Sequence, residues 1–311
     1  DKEYQLYLPL IYTKMAYSCQ KIAQYEKSLN YYESALKLYE NVQNYTKINY
    51  IKYKIAKIYY ETYRLDKAKE LFIEITKSEQ SPTILVVKSY LLLASLEEDS
   101  STPQNAFNYY KQALEHEKEI VAPEVLSELY FKYALIMDDK NDIKTAIEYY
   151  NKCLSVNKDP KVNKYLSSTY SNIATLYLEK SDSENAITNY VKAYEIDEQS
   201  NNLEGVYYAA SKLASILQRN QPEEALEYYK IALQSAKDLN DIFYIISASL
   251  AVGDFHYDEK QNEMALKYYI KALDMAENNL SKDNIYKINA RINDIKFRLG
   301  VEKFDNLVEI I

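Results

Sequence analysis

An all-α fold, a row of seven helical hairpins closed by a C-terminal capping unit, follows from three observations. The 311 residues hold only three Gly and six Pro, too few for the tight turns of a sandwich, barrel or doubly wound sheet. Hydrophobic residues make up 47% of the chain, enough for a folded core, yet no apolar run approaches the roughly 20 residues a membrane span needs. A small–aromatic–small signature recurs seven times at a nearly constant interval, which predicts one structural unit used repeatedly.

The signature begins at Ser28, Ala68, Ala106, Ala146, Ala186, Ala225 and Ala265, at intervals of 40, 38, 40, 40, 39 and 40 residues. Four residues on stands an aromatic: Tyr32, Phe72, Tyr110, Tyr150, Tyr190, Tyr229 or Tyr269. Three further on come Ala35, Ile75, Ala113, Cys153, Ala193, Ala232 and Ala272. Offsets of four and three share one face of a helix, here helix B of each hairpin. About twelve residues earlier lies a second small cluster, at Met15-Ala16, Ile55-Ala56, Leu93-Ala94, Tyr133-Ala134, Ile173-Ala174, Leu213-Ala214 and Val252-Gly253. That is helix A, often with a Tyr four positions before the Ala, as at Tyr12, Tyr90, Tyr130 and Tyr170. Small residues on both faces let the two axes approach to roughly 8–10 Å.

The punctuation agrees. Thr102-Pro103, Asp142 and Asp182 are expected N-caps of B helices, and Gln221-Pro222 is a poorer one. Pro82, Pro123 and Pro160 are expected to start A helices, with Pro9 in a first turn or at a mild kink. The expected organisation is one solenoid domain over 1–311, with units 4–43, 44–81, 82–120, 121–158, 159–199, 200–238 and 239–279. Residues 280–311 form the cap, in which Gly300 is an expected helix C-cap and the apolar end packs back.

Residue for residue, the helix B signature resembles the tetratricopeptide repeat family over about residues 4–280. The interval of about 40 exceeds the family's usual 34, which implies longer helices. Gly of helix A is Ala in six units, and Tyr or other residues replace the family's Trp. The resemblance implies a right-handed superhelix whose concave wall is lined three residues before and one after the helix A small position. Those pairs are Thr13/Tyr17, Tyr53/Lys57, Leu91/Ser95, Phe131/Leu135, Ser171/Thr175, Ser211/Ser215 and Leu250/Asp254. The early wall is bulky; units five and six are small and hydroxylated, with Asn172 and Lys212 alongside. The family's chaperone-tail clamp does not carry over, because its positions here hold Thr, Tyr, Leu and Ser.

Chemistry beyond binding is not visible in the sequence. His116 and His256 stand far apart, no Ser, Cys or Lys sits in a nucleophile motif, and three Gly leave no phosphate-binding loop. Cys19 and Cys153 lack metal-ligand spacing and take small core positions in the repeat. No enzyme activity, cofactor or metal is therefore expected. The net charge of −8 argues against nucleic acid as a partner, although residues 1–80 carry +3 and the remainder −11, with Lys47, Lys52, Lys54 and Lys57 concentrating the basic part. The 35 Tyr read as compositional bias, with the first member of each tandem pair turned away from the core. The expected function is a protein- or peptide-binding scaffold, with Tyr53, Lys57, Phe131, Ser171, Asn172, Thr175, Ser211, Lys212, Ser215 and Asp254 as candidate groove residues. The alternative is a sensory or regulatory module of a larger protein, similar to bacterial peptide-pheromone receptors that carry a helix-turn-helix ahead of such repeats. A cytoplasmic location fits the sparse cysteines.

Overall fold

The structure, a computed structural model, describes residues 2–98, 103–156, 158–161, 163–279 and 282–310. Among these the backbone forms sixteen α-helices and no strand. They fall into two compact units, residues 1–157 and 158–311. The N-terminal unit holds α1 (Lys2–Lys21), α2 (Tyr25–Asn41), α3 (Tyr45–Glu61), α4 (Leu65–Lys77), α5 (Thr83–Glu98), α6 (Pro103–Leu114), α7 (Pro123–Asp139) and α8 (Ile143–Val156). The C-terminal unit holds α9 (Leu166–Glu179), α10 (Ser183–Ser200), α11 (Leu203–Leu217), α12 (Pro222–Leu239), α13 (Ile242–Asp258), α14 (Asn262–Asn278), α15 (Lys282–Leu299) and α16 (Val301–Ile310). Within each unit every helix packs on the next, and α3 also meets α5 as α9 meets α11, so hairpins stack side by side.

The repeated residues are the core. All seven small positions from Ser28 to Ala265 are at most 1% exposed, as is the set from Ala35 to Ala272. The seven aromatics between them are buried as well. Four of their phenols reach back to helix A or its end: Tyr110 donates to Glu98 at 2.7 Å, Tyr229 to Gln218 at 2.7 Å and Tyr269 to Asp254 at 2.7 Å, while Tyr190 and Thr175 share a bond of 2.8 Å. Gly253 replaces the helix A alanine because Tyr269 lies on it; a Cβ there would stand 2.5 Å from the ring.

The tandem tyrosines have a use the sequence reading missed. In three hairpins the first of the pair packs on the helix A tyrosine: Tyr31 stacks on Tyr12 at 6.1 Å, Tyr109 lies tilted on Tyr90 at 6.2 Å, and Tyr149 meets Tyr130 edge-on at 5.9 Å. Both members of the pair thus join helix A to helix B.

Capping follows the sequence at Asp142, which accepts from the Thr145 amide at 3.2 Å, and at Asp182, which accepts from Asn185 at 3.2 Å. Asn44 and Asp241 cap α3 and α13 in the same way. Pro123 opens α7 and Pro222 opens α12; Thr102 lies outside the described residues. Of the two placements expected for Pro9, the structure excludes the first turn and puts it inside α1. One expectation changes. Pro160 does not open α9, which begins at Leu166. The intervening turn is held by Asp159, which accepts from the Lys161 and Asn163 amides, and by buried Asn163, which accepts from the Tyr165 amide.

Few glycines do not prevent tight turns here. Ala23, Gln43, Tyr63, Asn141, Ser181, Asn201, Asn240 and Lys260 take left-handed φ values of 53–60° at helix ends. Cys153 is fully buried and its thiol donates to the Ser127 carbonyl at 3.4 Å; Cys19 is half-buried, and both are free thiols. In the cap, Ile288, Ile295 and Phe304 are buried against Leu266, Tyr269 and Ala276, with Gly300 (φ +79°) joining α15 to α16. Leu307 packs back, whereas Val308 is exposed; the side chain of Ile310, and Ile311, lie outside the described residues.

Candidate functional site

The C-terminal unit carries a cleft of about 360 Å3 formed by the first turns of A helices α9, α11 and α13. Ser167, Ser168, Ser171 and Asn172 come from α9, at helical spacing that turns them to one side. Glu204, Gly205, Tyr207 and Tyr208 come from α11, Tyr244 from α13, Asp197 from the last turn of α10 and Asn202 from the α10–α11 turn. Tyr207 and Tyr244 stack at 4.5 Å and make one wall, and Tyr244 donates to Glu204 at 2.9 Å.

Asp197 is the unusual group. It is 3% exposed, and its carboxylate accepts from Ser167 and, at 2.8 Å, from Asn202 Nδ2. Burial pushes its pKa above the usual carboxylate range, and those two hydrogen bonds oppose the shift. A Cβ on Gly205 would lie 2.1 Å from the carboxylate, so only glycine lets Asp197 rest on the first turn of α11, where the amide dipoles favour an anion. Beyond the cleft floor, burial raises the Tyr207 phenol while hydrogen bonds to Ser211 and Ser247 draw it down.

Of the residues singled out from sequence, Ser171 and Asn172 line this cleft. Ser211 lies next to it through Tyr207, and Lys212 sits over the Tyr208 ring at 5.4 Å. Ser215 is exposed one turn further along α11. Thr175 is occupied by Tyr190. Asp254 is occupied too: it accepts from Arg291 Nε and Nη2 and from Tyr269, tying α13 to α15. In the N-terminal unit, Tyr53 and Phe131 are only 9% and 8% exposed and lie 6.0 Å from Phe72 and from Tyr150, so both pack in the core, and Tyr53 also lines a cleft with Tyr50 and Lys54. Lys57 lies 3.8 Å from Glu61. Sequence reasoning missed Asp197, Glu204, Tyr207 and Tyr244; the signal available was Gly205, one of three glycines, placed in the first turn of a helix A.

Among the described residues no three His, Cys, Asp or Glu side chains gather to hold a metal ion, and no helix is long and apolar enough to cross a membrane. A model of the tetratricopeptide repeat matches residues 127–160, 167–200 and 246–279, and a second model of the same description matches 209–242. Residues 127–279 carry tetratricopeptide repeats. The four matched repeats coincide with the hairpins α7–α8, α9–α10, α11–α12 and α13–α14. Comparison with curated proteins finds no match. Among solved structures, the apo form of RapI is similar over 97% of this chain and 84% of its own, at 16% identity and a TM-score of 0.71. A signal-transduction ATPase with a tetratricopeptide repeat sensor, from Pyrococcus horikoshii, is similar over 92% of this chain and 46% of its own, at 15% identity and a TM-score of 0.68. The apo form of the quorum sensor NprR from B. thuringiensis is similar over 92% and 87%, at 18% identity and a TM-score of 0.58. These likenesses establish the repeat fold.

Proposed function

We propose that this chain is a non-catalytic scaffold that binds a peptide or partner protein along its A helices, with the α9–α11 cleft as one seat. The observation that carries the reading is the cleft itself: hydroxyls and amides from Ser168, Ser171 and Asn172 beside a stacked tyrosine wall. Such a lining offers donors and acceptors for an extended backbone and flat apolar area for its side chains. Binding on a peptide array, repeated with Ser171→Arg plus Ser211→Arg, tests it. Loss of the captured peptides supports the seat; an unchanged array sinks it.

A second reading, a sensory module within a larger protein, is favoured by the likeness to a quorum sensor and to a repeat sensor. The intact reading frame decides it: a helix-turn-helix or other output domain joined to these repeats supports the reading, and a frame encoding repeats alone removes it.

A further inference from the structure

The N-terminal unit has a cleft of different chemistry. On α1, Leu10, Lys14, Tyr17 and Lys21 follow one another at helical spacing; on α3, Lys47, Tyr50, Lys54 and Lys57 do the same. Leu10, Lys14 and Tyr17 face Lys47 and Tyr50 across a cleft of about 490 Å3, and Lys47, Tyr50 and Lys54 line a neighbouring one of about 320 Å3 that reaches Lys88 on α5. At the centre, the Lys54 ammonium lies 5.6 Å from the Tyr17 ring centre and 5.5 Å from that of Tyr50, and Lys21 approaches Tyr17 at 5.5 Å.

Lys57 pairs with Glu61 at 3.8 Å; the other lysines of the cluster make no ion pair among the described residues. Among the described residues no carboxylate lies within 4.0 Å of Lys14, Lys21, Lys47, Lys54 or Lys88, whereas Lys52 pairs with Glu74 at 2.7 Å on another face of α3. Burial, then the neighbouring Lys57 and Lys21 charges, push the Lys54 pKa below its usual value, against the attraction of Tyr17 and Glu61. Tyr17 and Tyr50 nevertheless stay 47% and 36% exposed. Beside them the fully buried Tyr32 hydroxyl has no hydrogen-bond partner. A half-buried cation cluster that one carboxylate, Glu61, compensates only in part, set among open aromatic rings, is a poor way to finish a surface and a good way to receive an anion.

We propose that the α1–α3 cleft docks an acidic segment of a partner protein, its carboxylates meeting Lys54, Lys21 and Lys47 and its apolar side chains resting on Tyr17 and Tyr50. A polyanion such as nucleic acid fits less well, because the chain as a whole carries −8 and the local excess is confined to a few lysines. This surface is separate from the α9–α11 seat, so either can fail alone.

Fluorescence anisotropy of the full chain with a labelled hexaglutamate peptide tests the proposal. The expected result is saturable binding that weakens about tenfold or more between roughly 50 and 300 mM KCl. Lys21→Glu with Lys54→Glu weakens it at least about tenfold, and the milder Lys21→Gln with Lys54→Gln weakens it about threefold with unchanged circular dichroism. Ser171→Arg with Ser211→Arg leaves it untouched. Absence of saturable binding, equal binding of hexalysine, unaltered affinity in the glutamine double variant, or tighter binding of single-stranded oligothymidylate overturns it.

Discussion

The α1–α3 cleft and the α9–α11 cleft stand on the same scaffold and have opposite character. Each is framed by A helices whose inner faces are locked by a buried alanine, Ala16 and Ala56 in one, Ala174 and Ala214 in the other. Each neighbours a B-helix aromatic that is completely buried, Tyr32 or Tyr190. Outside that shared frame the first presents lysines over tyrosines, and the second presents serines, two asparagines and two carboxylates beside a tyrosine stack. The difference teaches how a repeat protein divides its labour. Positions facing the next helix are fixed by packing, and positions one step round the same helix are free to take up any chemistry.

The sharpest way to break this comparison is to attack the common part. Tyr150→Ala and Tyr190→Ala remove equivalent, fully buried rings from the two units. Each is expected to cost about 3–5 kcal/mol. Urea unfolding followed by circular dichroism checks it, and costs differing by more than about 2 kcal/mol would show that the repeats do not share one packing logic. Next in size is Gly205→Ala, which strikes only the C-terminal cleft. Its Cβ would collide with the Asp197 carboxylate and with Asn202, at a cost of about 1–3 kcal/mol. Peptides captured by the α9–α11 seat should be lost with it, while hexaglutamate binding by the N-terminal unit should persist.

A smaller effect of opposite sign is expected at the turns. Tyr63 is 87% exposed and holds φ at 58°, so its side chain gains little and its backbone is strained. Tyr63→Gly should stabilise the N-terminal unit by about 1 kcal/mol, read from the urea midpoint. The smallest effect is pH-dependent and belongs to the C-terminal unit. Because burial raises the Asp197 pKa in the folded chain, the folded state holds that proton more tightly than the unfolded one. Stability from this group is present below the ordinary carboxylate pKa and is lost as pH rises through the raised folded value. Asp197→Asn should flatten that fall, and an identical pH profile in the two proteins would show that Asp197 is not penalised by burial.

Much of the frame was legible beforehand, since Ser28, Tyr32, Ala35 and their counterparts identify a helix face by spacing alone. The start of α9 was misread because Asp159-Pro160 resembles a helix opening, and only the hydrogen bonds of Asn163 show a turn that continues to Tyr165. Tyr53 and Phe131 carried the right offset for a binding wall, yet their rings are large enough to reach Phe72 and Tyr150, which buries most of each even though Tyr53 still borders a cleft. Serine at the same offset, as at Ser171, is too short to reach that far and is left lining the cleft.

From its sequence alone this protein fixed its helices, their pairing into hairpins and the identity of its core, because periodic burial must be written at a period the chain can repeat. Tertiary structure alone decided which polar side chains meet. Asp197 reaches Ser167 across 30 residues, Asp254 reaches Arg291 across 37, and Lys54 comes to lie over Tyr17. Those encounters depend on the rotation and offset of one helix against another, which no spacing within a single helix encodes.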